Sequence, residues 1–301
     1  MKPFTADKVK LGFVGAGAMG SRIVRRLLDH AYQVSVYDRE RNKAVALLPY
    51  GASVSESLEE LAETADVILS CLTDDSSVRN VYLGREGLLA GSRPGKVVLE
   101  MSTVSPHTSR EVHAQGAQRG VNVMDVAISG STPAVEQGSI TLLVGGDAEL
   151  FQAAQPIFQV LASHCFLMGP PGSGTSMKLV ANTLLGVGMQ AIAEAVALGE
   201  AEGIDRKRLL DVLSQTAVVA PAHIGKLAKA EHDDYSPQFG VGLMNKDFRL
   251  ILEVAGLSNL TLPATASAFE INSAALKEDP SADFSSVIRH MEKLIGLNVS
   301  K

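Results

Sequence analysis

The sequence predicts an α/β fold with an all-α C-terminal domain. Short β-like runs alternate with helical patterns through the first half, and a glycine-rich turn directly follows the first such run. After about Gly169 the β-like runs stop and long helical patterns take over. This places an N-terminal doubly wound sheet over residues 1–170 and a helical domain over 171–301.

The elements follow in order. "KLGFVGAG" reads as a strand entering a glycine turn, and "SRIVRRLLDH" puts Ile23, Val24, Leu27 and Leu28 on one helical face. "YQVSVYD" alternates as a strand, "SLEELAETA" is helical, and "DVILSCL" is a short buried strand. "GKVVLEMST", "NVMDVAISG" and "SITLLVGGD" continue the β pattern, so the sheet should be mostly parallel and covered on both faces. "GPPGSG" then breaks the chain, because Gly and Pro stop the preceding element. A long helix should start near Thr175 and end at Gly203, with Asp205 as N-cap of the next helix, "RKRLLDVLSQ". "MNKDFRLILEVAG" and "FSSVIRHMEKLIG" complete the helical part.

Composition limits the function. A hydrophobic fraction of 46% and a charged fraction of 20% are those of a globular protein. A net charge of −6 with no basic run argues against nucleic-acid binding. The apolar stretch Leu179–Leu198 carries Asn182, Thr183, Gln190 and Glu194, a polar load that points to a helix buried in protein rather than in a membrane. Cys71 and Cys165 sit beside apolar residues and read as buried thiols. With no signal-peptide pattern at the start, a cytoplasmic location is expected. The seven histidines show no metal-ligand spacing, so no metal is expected, and "EHDDYSP" reads as a polar loop.

"GFVGAGAMG" places Gly15, Gly17 and Gly20 in G-x-G-x-x-G spacing between a strand and a helix, with Ala16, Ala18 and Met19 between them. Gly15 permits the tight turn, Gly17 lets backbone approach a pyrophosphate, and Gly20 lets helix and strand pack closely. The helix N-terminus offers free N–H groups and the positive end of a dipole. Asp38 ends the second strand eighteen residues after Gly20, where an acid can bind an adenosine ribose. The expected domain is therefore Rossmann-type and the expected cofactor NAD, since a carboxylate repels a 2′-phosphate. Arg39, beside it, can soften that preference toward NADP or stack on adenine.

Lys178 and Asn182 are four residues apart and share a face of the long helix. A lysine in a cleft beside a nicotinamide can give a proton to a carbonyl oxygen that receives hydride. In the reverse direction it must be neutral, which burial favours. The spacing equally allows Lys178 to snorkel to the surface and Asn182 to cap a neighbour.

Four motifs in order resemble the β-hydroxyacid dehydrogenases, the group of 3-hydroxyisobutyrate dehydrogenase, tartronate semialdehyde reductase and the glyoxylate/succinic semialdehyde reductases. They are "GFVGAGAMGSRIVRRL", "DVAISGSTPAVEQGSITLLVGG", "GSGTSMKLVAN" and "FGVGLMNKDFRL", and the resemblance covers essentially the whole chain. It implies that Lys178 is the catalytic lysine and that Asn182 helps to hold substrate. It implies that Ser129, Gly130 and Ser131 grip a substrate carboxylate, and that Thr103 meets the nicotinamide ribose. Leu72 and Thr73 would line the cofactor, Lys246 would lie near it, Asp247 would fix the start of its helix, and Phe239 would cover the site.

Ser131 stands where the family often has a second glycine, as in the glyoxylate/succinic semialdehyde branch, and Thr73 replaces a common proline. These departures touch substrate choice rather than reaction. Imine reductases share the architecture but generally lack this lysine. The expected activity is hydride transfer between a nicotinamide cofactor and a small 3-hydroxy or 2-hydroxy carboxylate or its aldehyde or keto acid, in a homodimer or homotetramer. The alternatives are a non-catalytic NAD(P)-binding redox sensor, or a reductase of another carbonyl-type substrate such as an imine or a sugar acid.

Overall fold

A computed structural model describes residues 1–296; the last five residues of the expected helical domain lie outside it. The chain divides into two compact units, Met1–Lys178 and a second from Leu179 onward.

The first unit is built on β1 (Lys10–Val14), β2 (Gln33–Tyr37), β3 (Ser53–Val54), β4 (Val67–Ser70), β5 (Val97–Glu100), β6 (Asn122–Ser129), β7 (Ile140–Gly145) and β8 (Ala162–Gly169). They form one sheet in the order β3-β2-β1-β4-β5-β6-β7-β8. Every pairing is parallel except β6 with β7. β4 and β5 are buried along their whole length, which is why Val and Leu dominate them ahead of their terminal Ser70 and Glu100. The strand order reverses direction between β1 and β4, the switch point at which open α/β sheets bind ligands.

Helices cover both faces: α1 (Ala18–Asp29), α2 (Arg41–Val45), α3 (Leu58–Thr64), α4 (Asp75–Leu83), α5 (Leu88–Gly91), α6 (Pro106–Gln118), α7 (Thr132–Gln137) and α8 (Ala148–Leu161). Ile23, Val24 and Leu27 of α1 pack with Ala154, Ile157 and Phe158 of α8 in one core. Leu61 of α3, Tyr82 of α4 and Val112 of α6 pack in the core on the other face. Side-chain caps start α3 (Ser57), α4 (Asp74), α6 (Ser105) and α8 (Asp147), each supplying an acceptor to an otherwise unpaired N–H.

α9 (Ser173–Ala201) opens the helical part, followed by α10 (Arg206–Ser214), α11 (Pro221–Ala230), α12 (Val241–Leu257), α13 (Pro263–Glu278) and α14 (Val287–Leu294). The division between units falls inside α9. Gly203 takes φ +82° after α9, and Asp205 caps α10 by accepting from the Arg208 N–H, as the sequence reading expects.

Three expectations need correction. Leu179–Leu198 is not buried all round. Leu179, Met189, Ile192, Ala193 and Val196 enter the helical core, but Val180, Leu184 and Leu198 are exposed. By length and composition α9 could cross a membrane, yet the face it buries is that of a core helix. The two thiols are half-buried rather than buried; Cys165 lies on edge strand β8, and partial burial pushes it up to about 12. Asp247 does not start its helix. It lies well inside α12, whose N-cap is Gly240, because the helical pattern begins before "MNKDF".

Candidate active site

β1 ends at Val14 and the chain turns through Gly15 at φ +96°, a conformation that favours glycine. A Cβ at Gly15 would collide with the Cys71 carbonyl oxygen, and one at Gly20 with the Gly15 carbonyl oxygen. These two glycines are therefore demanded by the chain's own packing. At Gly17 a Cβ would meet nothing within 4 Å. Room is left on that side of the turn, as a pyrophosphate lying against the backbone requires. Gly17 is the N-cap of α1, with no side-chain capping bond and no acid in the first turn. A helix N-terminus with these features can face an anion.

Asp38, just beyond β2, joins this turn. Its Oδ2 accepts from the Ala16 N–H at 2.7 Å and its Oδ1 from the Glu40 N–H at 2.8 Å. A carboxylate has about four acceptor positions, so both oxygens can still receive a ribose hydroxyl. Arg39 beside it is exposed. Ala18 and Met19 begin α1.

The ends of β4 and β5 border the same turn. The Leu72 N–H donates to Ser102 Oγ at 2.7 Å, and the Leu72 side chain lies against Gly15. Thr73 is exposed ahead of α4, its Oγ1 3.1 Å from Ser77 Oγ. Thr103 is half-buried in the loop after β5. Below them Glu100 is buried, its Oε1 accepting from the Ser102 N–H at 2.8 Å and its Oε2 unpartnered. Burial pushes this carboxyl up to about 7 against the Ser102 hydrogen bonds, and the Asp125 carboxylate adds to the rise.

Ser129 ends β6 opposite Thr141, Gly130 takes φ +154°, and Ser131 is the N-cap of α7 with no side-chain capping bond. Gly130 and Ser131 are exposed. Exposed hydroxyl and backbone donors at one turn can hold a carboxylate.

Lys178 is 9% exposed, so it does not snorkel into solvent. One helical turn on, Asn182 is 2% exposed, and its Nδ2 donates to Asp247 Oδ2 at 2.5 Å. Asp247 is itself buried, with its Oδ1 3.0 Å from Lys246 Nζ. Asn182, Lys246 and Asp247 thus form one polar group in the second unit. Phe239 belongs to another cluster. Its ring meets Phe284 edge-on with centroids 5.7 Å apart, and its N–H donates to Asp283, the buried partner of Lys226.

The structure adds two acids that the sequence reading assigned no role, Glu100 and Asp125. Asp125 Oδ1 accepts from the Gly172 N–H at 2.7 Å and its Oδ2 from the Thr175 N–H at 2.8 Å. An acid in an otherwise apolar strand is the only local signal for either.

Comparison with known proteins shows the family. The model of the NAD binding domain of 6-phosphogluconate dehydrogenase matches residues 10–169. The model described as NAD-binding of NADP-dependent 3-hydroxyisobutyrate dehydrogenase matches residues 172–291. An NAD-dependent L-serine dehydrogenase of Pseudomonas aeruginosa is 35% identical over 276 residues, 89% of this chain and 93% of that protein. Glyoxylate/succinic semialdehyde reductase 1 of Arabidopsis thaliana is 32% identical over 262 residues, 87% of this chain and 91% of that protein. The structure of Mycobacterium tuberculosis 3-hydroxyisobutyrate dehydrogenase with L-serine superposes with TM-score 0.86 at 28% identity, covering 94% of this chain and 99% of that one. With two family models in tandem and relatives matched almost end to end, the chain belongs to the β-hydroxyacid dehydrogenase family, and its cofactor is NAD(P).

Proposed function

We propose that this protein interconverts a small 3-hydroxy or 2-hydroxy carboxylate and its aldehyde or keto acid, with Lys178 as general acid and base. The observation that carries the reading is a buried lysine with Asn182 one turn away, itself tied to the buried Asp247. The nicotinamide, when bound, supplies hydride transfer at C4. Ser129, Gly130 and Ser131 hold the substrate carboxylate through hydroxyl and backbone donors. Lys178 delivers a proton to the carbonyl oxygen in reduction and takes it from the hydroxyl in oxidation. Asn182 keeps its amide group fixed toward Asp247, so its carbonyl end is set for the lysine or the substrate.

Thr103, Leu72, Thr73, Phe239 and Lys246 border the cofactor in this reading, and Asp38 selects NAD over NADP. The L-serine and semialdehyde names of the relatives support a substrate with one carboxylate and an oxygen-bearing carbon close to it. The exposed apolar face of α9 supports self-association of the chain.

The test is reduced-nicotinamide absorbance with NAD and NADP against L-serine and 3-hydroxyisobutyrate, and with NADH and NADPH against glyoxylate and succinic semialdehyde. Turnover of one acid-bearing compound establishes the reaction. Silence across the panel, with cofactor binding intact by titration, moves the assignment to the redox sensor. Lys178→Ala should lower kcat by about 10²–10⁴ while cofactor affinity stays nearly unchanged. Near-parental turnover would remove the lysine from the mechanism.

A further inference from the structure

We infer that Asp125 is a positioning residue for the proton-transfer lysine. This rests on the reading that Lys178 moves the proton. A helix begins with backbone N–H groups that have no partner within it. The Thr175 N–H of α9, and that of Gly172 just before the helix, are satisfied on the two oxygens of the Asp125 carboxylate. Asp125 is 4% exposed and sits on β6, hydrogen-bonded to β5 on one side and β7 on the other. Its negative charge also opposes the positive end of the α9 dipole.

Packing reinforces this clamp. A Cβ at Gly145 would stand 2.5 Å from Asp125 Oδ1, and a Cβ at Gly174 would strike the Leu143 carbonyl oxygen. Gly174 therefore brings the first turn of α9 against the β7 backbone. From α6, Ser109 Oγ meets Thr175 Oγ1 at 2.9 Å, and Thr175 is fully buried.

Thr175 lies three residues before Lys178, less than one turn. The clamp therefore sets the rotation of α9 about its axis at the point where the lysine leaves it. A side-chain tip about 5–6 Å from a helix axis moves about 1 Å for each 10° of rotation. A misplacement of about 1 Å at a reacting group can cost about 10² in rate. The carboxylate touches neither substrate nor cofactor in this account and acts through Lys178.

Asp125→Asn keeps the shape but leaves one acceptor oxygen and turns an NH2 group toward a backbone N–H. With the fastest compound of the panel above, kcat should fall about 10- to 100-fold while KM and cofactor Kd change by less than about threefold. The limb of the kcat–pH profile that depends on Lys178 should also move. Ser109→Ala, which loosens the same turn without disturbing a charge, should give the same signature at about two- to fivefold.

In a Lys178→Ala background neither change should lower kcat further, because there is no lysine left to misplace. Equal losses in both backgrounds, or parental kcat in a folded Asp125→Asn protein, would overturn the inference and leave Lys178 in its role. Should Asp125→Asn fail to fold, Ser109→Ala decides in the same way. Near-parental turnover in Lys178→Ala alone is a different result, which removes the lysine reading and this inference with it.

Discussion

At the scale of single residues, the proposed reading gives the Asp38 carboxylate two jobs. It holds the glycine turn through the Ala16 N–H and stands where an adenosine ribose is expected. Asp38→Ser keeps a small hydrogen-bonding side chain but removes the charge that repels a 2′-phosphate. The ratio of Kd for NADPH to Kd for NADH should fall at least about tenfold, read by fluorescence titration, one such factor being about 1.4 kcal/mol. An unchanged ratio would mean that cofactor choice is made elsewhere, with Arg39 the nearest candidate.

The tight turn at Gly15 and the close packing at Gly20 were legible because one local motif contains the reason for each. Glu100 and Asp125 were not, since burial and long-range hydrogen bonds give them their meaning. The N–H groups that Asp125 holds come from Gly172 and Thr175, almost fifty residues away. Asp247 was legible as part of a motif but misplaced, because α12 begins six residues before it, and its partner Asn182 is 65 residues away.

Among the elements, α9 shows what periodicity reads and what it does not. Its length, its glycine-rich entry and its Gly203 exit were visible in the sequence. Its two apolar faces were not separable, because an all-round apolar helix has the same pattern whether it is buried on one side or both. The structure leaves Val180 at 55%, Leu184 at 74% and Leu198 at 66% exposed along one side. If this face packs on a second copy, Leu184→Asp should shift the protein toward monomer by gel filtration with light scattering. A parent that is already monomeric at micromolar concentration would remove that role from α9. Strand β8 escaped the sequence reading for a related reason. It is an edge strand, exposed over much of its length, with Ser163 and His164 interrupting its apolar residues.

For the molecule as a whole, carboxyls that folding desolvates should make stability depend on pH. In the helical unit, Arg206 Nε lies 2.6 Å from Glu292 Oε1 and 3.9 Å from Glu200 Oε1. Glu292 is 1% exposed, and one oxygen of each carboxyl is unpartnered. Burial, together with the Glu292 carboxylate, pushes Glu200 up to about 7 despite Arg206. Glu100 in the sheet unit is likewise at about 7.

A carboxyl whose folded pKa is raised binds its proton more tightly in the folded state. Its stabilising contribution is full below the unfolded value of about 4.3 and is lost as pH rises through about 7. Asp283 works in the opposite direction. Burial would raise it, but Lys226 and the Phe239 and Gln238 N–H groups outweigh burial and hold it low, so its contribution is full above the unfolded value of about 3.9 and is lost as pH falls below it. Thermal stability should therefore decline between about pH 5 and pH 8. Glu200→Gln should melt a few degrees higher than the parent at pH 8, with the difference closing near pH 5. A parallel offset at both pH values would show that the gain has nothing to do with this proton.

By itself the sequence determined the class of fold, the glycine turn between β1 and α1, the nicotinamide cofactor class and the family. Each of these is written in short-range spacing, and local backbone sterics and helical period read such spacing directly. Only the tertiary structure decided which face of α9 is buried, where Asp247 lies in its helix, and which acids hold protons near neutrality. It also decided what seats the turn that carries Lys178. Those properties depend on desolvation and on hydrogen bonds between residues far apart in the chain, and neither exists until the sheet and the helices have packed.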